Sequence, residues 1–242
     1  RSAPMRLARL APLLLLFSGL AAFAAAGEEA PSAPTKQDAG LPTWYAQALA
    51  HGDAGLNVTD YWSKGPMLRA ETVIAGHKVV TIVKGEWYYV FDGLSRRGLA
   101  IRRHADAVAE DARGRRPFGN EYEVLLEQGA EKVGEEILWG RPAEVYRITD
   151  QLGRRELWVS QGDEKIPLRL EIFDRKSGKK AYTEYVIWDA AISIPDGFFD
   201  PDPSVEFERL EFEAYLQRSA EGKLSGAAPV LFSHLLHVRK RD

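Results

Sequence analysis

The stretch KGEWYYVFDG, Lys84 to Gly93, sets Trp87, Tyr88, Tyr89 and Phe91 between two glycines. Successive side chains of a strand point to opposite faces, so Trp87, Tyr89 and Phe91 share one face and Tyr88 and Val90 the other. A row of three large aromatics suits an ordinary core, a stacking platform for nucleic acid, or the wall of an apolar cavity. The neighbouring sequence narrows that choice.

On both sides of this stretch, short apolar runs alternate with turn signals. Met67 to Ile74, Lys78 to Val83 and Gly98 to Arg103 are strand candidates, punctuated by Ala75-Gly76-His77, Lys84-Gly85-Glu86 and Asp92-Gly93. Connections this short cannot cross over to a parallel partner, so the spacing predicts an antiparallel meander. A polar segment, Asp106 to Arg116, interrupts the sheet, and PFGNEYEVLLEQ, Pro117 to Gln128, reads as an amphipathic helix closed by Gly129. Strands resume at Glu131 to Trp139, Ala143 to Thr149, Arg154 to Ser160, Leu168 to Asp174 and Ala181 to Asp189. Two further helices are predicted: a short one over Pro42 to His51, where Trp44, Tyr45, Ala48 and Leu49 share a face at helical spacing, and a charged one over Glu206 to Gln217. The fold class is therefore mainly β with a few helices, a single large curved sheet or partial barrel.

One modest helix cannot cover the apolar face of such a sheet. The sheet must curl around itself, around a partner, or around a ligand. A closed core filled by side chains remains the alternative. In Met67 to Ile74, alternation places Leu68, Ala70, Thr72 and Ile74 together.

Composition bounds the function. The chain has 242 residues, 45% of them hydrophobic and 28% charged, which reads as globular. From Met5, two arginines, an apolar run and Ala24-Ala25-Ala26 form the pattern of a secretory leader, expected to be cleaved before Gly27. Residues 27–41, rich in Ala, Pro and Ser, read as a linker, 42–205 as the main domain, and 206–242 as a charged helix followed by a docking tail, PVLFSHLLHV. With no cysteine the chain has no disulfide, and a soluble periplasmic protein is expected. Loss of three arginines with the leader takes the formal charge from −3 to −6, which argues against nucleic acid as a partner.

No catalytic constellation is present. The sequence contains no G-x-S-x-G, no cysteine nucleophile and no phosphate-binding loop. His234 and His237 lack acidic or thiolate companions at ligand spacing, so neither a metal nor another cofactor is called for. The remaining carboxylates alternate with basic residues and read as solvated faces.

The run SKGPMLRAETVIAGHKVVTIVKGEWYYVFDG, Ser63 to Gly93, resembles the LolA-like lipoprotein-carrier superfamily. Pro66, Gly85, Trp87 or Tyr88, and Tyr89 or Phe91 stand at the positions of that pattern. The helix from Pro117-Phe118 is placed like the family's lid helix, and IPDGFFDPDP, Ile194 to Pro203, like its closing segment. The resemblance implies an open antiparallel half-barrel whose concave face, under helices, holds acyl chains. It further implies a lipid or lipoprotein acyl chain as ligand, with a membrane-associated protein as a possible partner and the chain as a monomer. On this reading Trp87, Tyr89, Phe91, Leu68 and Ile74 form the cavity wall, and Phe118, Leu125 and Leu126 are the lid contacts. The arginine that braces the carriers' lid has no secure counterpart: Arg69 is the nearest, and it reads better as a surface strand arginine. Near its start the sequence departs from the carriers: the first helix is short, and Gly55 to Ser63 leaves little room for their first long hairpin. The rival reading keeps the fold, fills the core, and assigns a regulatory or scaffold role through protein partners.

Overall fold

A computed structural model describes residues 41–52, 55–224 and 228–238. The expected leader and all of the expected linker but Leu41 lie outside the described residues. The first half of the sheet comprises β1 (Thr43–Gly52), β2 (Gly55–Lys64), β3 (Met67–Ile74), β4 (His77–Lys84), β5 (Trp87–Asp92) and β6 (Arg97–Arg102). An insertion carrying the helices α1 (Ala105–Glu110) and α2 (Glu121–Glu127) follows. The second half comprises β7 (Glu131–Leu138), β8 (Arg141–Thr149), β9 (Gly153–Ser160), β10 (Pro167–Asp174) and β11 (Lys180–Ala190). After a closing segment come β12 (Glu206–Leu210), α3 (Phe212–Ala220) and the C-terminal segment 228–238.

These strands make one open 12-stranded sheet in the order β12-β6-β5-β4-β3-β2-β1-β11-β10-β9-β8-β7. Neighbours are antiparallel except for β12, which runs parallel to β6. The sheet does not close, because β12 and β7 are its edges. With the insertion laid over one face, this is an open half-barrel with a helical lid.

The predicted strands from Met67 to Asp189 are all present. The predicted helix over Pro42 to His51 is not: those residues form β1. Its two possible periodicities both bring apolar residues together, and pairing resolves the competition. As a strand, β1 bonds to β2 along one edge and to β11 along the other. Its polar groups are pinned as well, because Tyr45 Oη and Gln47 Nε2 donate to Asp60 Oδ1 of β2 at 2.8 and 2.9 Å. The first long hairpin is therefore present, contrary to the expectation that Gly55 to Ser63 leaves little room for it. The charged helix expected over Glu206 to Gln217 is divided between β12, which gains ladder bonds from β6, and α3. The helix expected over Pro117 to Gln128 starts later, at Glu121, after a buried loop.

Both faces of the first half are covered. On one, Leu68, Ala70, Val79, Val83, Tyr88, Val90, Leu99 and Ile101 are buried under the lid and the C-terminal segment. On the other, Val80, Ile82 and Phe91 pack with Ile194, Phe199 and Val205 of the closing segment. This is why β4 reads as an unbroken apolar run, VVTIV. At the far edge β7 is exposed over most of its length.

Gly98 of β6 sits opposite Phe91 of β5, and a Cβ there would be driven into Val90 O and the Phe91 backbone. The substitution Gly98→Ala is expected to destabilise the chain by about 2 kcal/mol through overpacking. Urea unfolding would measure it; an unchanged midpoint would show that β5 and β6 separate freely.

Candidate functional site

The lid face has a trough at its centre. Small residues, Ala46 and Ala48 of β1 and Ala70 of β3, lie between the larger Trp44, Tyr61, Tyr185 and Trp188. Register places Ala46 beside both Tyr61 and Trp188, so the small side chain leaves space between two rings. Phe118 fills that space from the lid. Its ring stacks on Tyr61 at 4.8 Å and on Trp188 at 5.6 Å. The loop can descend this far because the next residue is Gly119, with a positive φ of 67° and no room for a Cβ against the Trp188 ring.

Arg116 anchors the loop from outside the trough. Its guanidinium lies over Trp44 at 4.6 Å and Trp188 at 4.9 Å, and it donates to the carbonyls of Phe118 and Gly119 at 3.2 and 3.1 Å. Asn120 donates back to the Arg116 carbonyl. Glu121, the first residue of α2, turns inward: one carboxylate oxygen accepts from Tyr185 Oη at 2.6 Å, while the other is buried without a partner. Burial pushes the Glu121 carboxyl above its usual range, and Tyr185 is raised by its own burial and by Glu121. Further along α2, Leu125 packs on Tyr146, Leu157 and Val159.

The C-terminal segment covers the neighbouring part of the same face. Leu236 is 1% exposed, and Leu231, Phe232 and Leu235 pack beside it. Phe232 meets Tyr61 edge-on at 5.8 Å, and its N–H donates to Tyr88 Oη at 3.3 Å. Arg103 joins this segment to the lid. Its side chain, 1% exposed, donates to Leu235 O at 2.7 Å, Gly85 O at 2.7 Å, Ala107 O at 3.0 Å and both carboxylate oxygens of Asp111.

The structure divides the sequence-predicted residues. Leu68 and Ile74 share the lid face with Phe118, and Leu125 covers the same face further along, over the second half of the sheet. Trp87, Tyr89 and Phe91 lie on the opposite face, where Tyr89 and Phe91 pack on Phe207 at 5.3 and 5.7 Å. Arg102 and Arg209 lie over the Trp87 ring. The residues of β5 that meet the lid and tail are Tyr88 and Val90, both fully buried. Leu126, one residue past Leu125, is 39% exposed and points away from the sheet. Arg69 is also on the far face, over Phe198 and donating to its carbonyl, so it does not brace the lid; Arg103 does. One signal for the placement of the aromatic row was available. The phenylalanines of the closing segment require an apolar partner, and the row supplies it.

Among the described residues no cluster of three or more histidines and carboxylates could hold a metal. No described helix is long and apolar enough to cross a membrane.

No protein-family model matches the sequence, and no curated protein matches it significantly. Among solved structures, the chain is similar to an uncharacterized conserved protein from Thermus thermophilus, with 13% identity and a TM-score of 0.49 over 71% of this chain and 92% of that one. It is similar to MucB in the MucA/MucB complex of Pseudomonas aeruginosa, with 13% identity and a TM-score of 0.43 over 68% of this chain and 57% of that one. A putative outer membrane lipoprotein-sorting protein domain from Vibrio parahaemolyticus is matched at 13% identity and a TM-score of 0.31, over 66% of this chain and 89% of that one. These likenesses are distant. The half-barrel is read from its own strand order.

Two measurements bear on this site. Burial raises the Glu121 carboxyl above its ordinary value of 4.5, so this group's contribution to stability is present in acid and is lost as pH rises through its folded value. Glu121→Gln is expected to flatten the fall in stability that sets in above the ordinary value of 4.5, read by urea unfolding of both proteins across pH; parallel profiles would place the carboxylate in water. Arg103→Met leaves Asp111 without its cation and is expected to cost roughly 3 kcal/mol. Amides of α1 and the C-terminal segment should lose hydrogen-exchange protection first, and uniform loss across the sheet would contradict this.

Proposed function

We propose that this chain is a non-enzymatic binding protein of the periplasm that holds a lipid or lipoprotein acyl chain against the lid face of its half-barrel. One observation carries the reading. The apolar lid face of an open sheet is covered by short pieces from outside the sheet, the insertion between β6 and β7 and the C-terminal segment. These pieces meet it mainly through side chains. An acyl chain entering between Phe118 or Leu236 and the floor of Leu68, Ala70 and Tyr88 would exchange water for apolar contact. The gain is about 0.8 kcal/mol for each buried CH₂, so one chain is held without a polar contact. Cargo would pass to or from a membrane-associated protein while the carrier stays monomeric. The leader pattern in the sequence supports export of the chain.

The seated C-terminal segment favours a second reading, in which the same fold works through a protein partner with its core filled. The two readings separate experimentally. Native mass spectrometry of protein purified from its own cells is expected to show a lipid adduct. Protein that carries no lipid, and acquires none from phospholipid vesicles, would overturn the first reading. A protein captured without lipid, in a manner requiring Leu231 to Val238, would support the second.

A further inference from the structure

The C-terminal segment occupies the lid face in an unusual way. It belongs to no strand, and its only regular element is a short turn, Ser233–Leu235. Most of its bonds to the body are made by main chain: Phe232 N–H to Tyr88 Oη, Arg103 Nε to Leu235 O, His104 N–H to Leu236 O and Val238 N–H to Asp106 Oδ1, while the His234 ring bonds the Pro117 backbone and the His237 ring meets Phe212. The main-chain anchors hold the segment in place whatever side chains it lays on the floor. The side chains it lays on the floor, Leu231, Phe232, Leu235 and Leu236, are hydrocarbon. Chemically they give Tyr61, Tyr88, Leu68 and Ala70 what an acyl chain would give them. The floor cannot contact both at once.

We propose that the segment 228–238 is a displaceable occupant of the acyl site, so that the seated tail and bound acyl chain exclude each other. The inference rests on the function proposed above and adds its control. Exchange replaces one apolar surface on the floor with another, so the burial lost by Leu231, Phe232, Leu235 and Leu236 is offset by burial of the acyl chain. Arg103 supplies the coupling. Loss of Leu235 O leaves its bonds to Gly85 O, Ala107 O and Asp111, so the lid stays latched to the β4–β5 turn while the tail leaves. The apparent affinity for acyl chains is then the intrinsic affinity reduced by the fraction of molecules with the tail unseated.

The test uses the full chain and a pyrene-labelled fatty acid. Leu236→Asp places a charge where Leu236 is buried and unseats the segment, so it is expected to bind the probe about tenfold more tightly than the wild type. Hydrogen exchange on the wild type needs no variant. Saturation with the probe is expected to expose the amides of Phe232 and His104 while those of β4 and β5 stay protected. Equal binding by both proteins, with the Phe232 and His104 amides still protected in the loaded state, would overturn the inference and leave the acyl site standing elsewhere on the face. Binding by neither protein would overturn the proposed function and the inference together.

Discussion

The sheet exists as one object because β1 pairs on both sides. Its residues bond to β2, which follows directly in the chain, and to β11, so that Trp44 lies opposite Ala190 and His51 opposite Tyr182. Without that seam the chain would hold two smaller meanders, β2 to β6 with β12 and β7 to β11, each exposing an additional edge. The seam also builds the trough. Trp44, Ala46 and Ala48 come from one side of it, Tyr185 and Trp188 from the other, and Phe118 descends where they meet. The position of the lid is thus a consequence of a pairing made far from it in sequence.

The two faces of the first half have different covers. The closing segment packs aromatic against aromatic and is pinned at its rim by ion pairs, Lys64 with Asp196 and Lys84 with Asp200. The other face is covered by an insertion and a tail that meet at one buried guanidinium. Arg103 donates from one buried guanidinium to the β4–β5 turn, to α1 and to the tail, so it fixes where these pieces meet, and its bonds to the turn and α1 do not depend on the tail. One cover therefore reads as core and the other as closure.

Most of the sheet was legible because its information is local. From Met67 to Asp189 most of the connections between strands carry a glycine, and each strand pairs with its neighbour in sequence, apart from the lid insertion. β1 was not legible, since Trp44, Tyr45, Ala48 and Leu49 suit a helix as well as Trp44, Ala46 and Ala48 suit a strand. Its arbiter, β11, lies at the other end of the domain. β12 was hidden in the same way behind its parallel partner β6. For β5, alternation separates Trp87, Tyr89 and Phe91 from Tyr88 and Val90 but says nothing about which set meets the lid, and both faces are buried. Phe118 sits in the loop before α2, where helical periodicity says nothing about its direction, and within α2 Leu126 falls about 100° beyond Leu125 and faces out. Arg103 and Glu121 were invisible, because a charged residue reads as solvated until its surroundings are known.

The open architecture leaves β7 as a free edge, paired only with β8, and an unpaired edge is a template on which another chain can extend a sheet. Here the template is spoiled. Glu131, Lys132, Glu135 and Glu136 stud the strand, and its ladder to β8 slips between Lys132 and Gly134. A second copy approaching edge to edge would meet a strand that carries three glutamates to one lysine and whose ladder is out of register at its middle. The half-barrel can thus remain open along this side without growing into a fibre, which is the condition under which an uncovered edge is compatible with solubility.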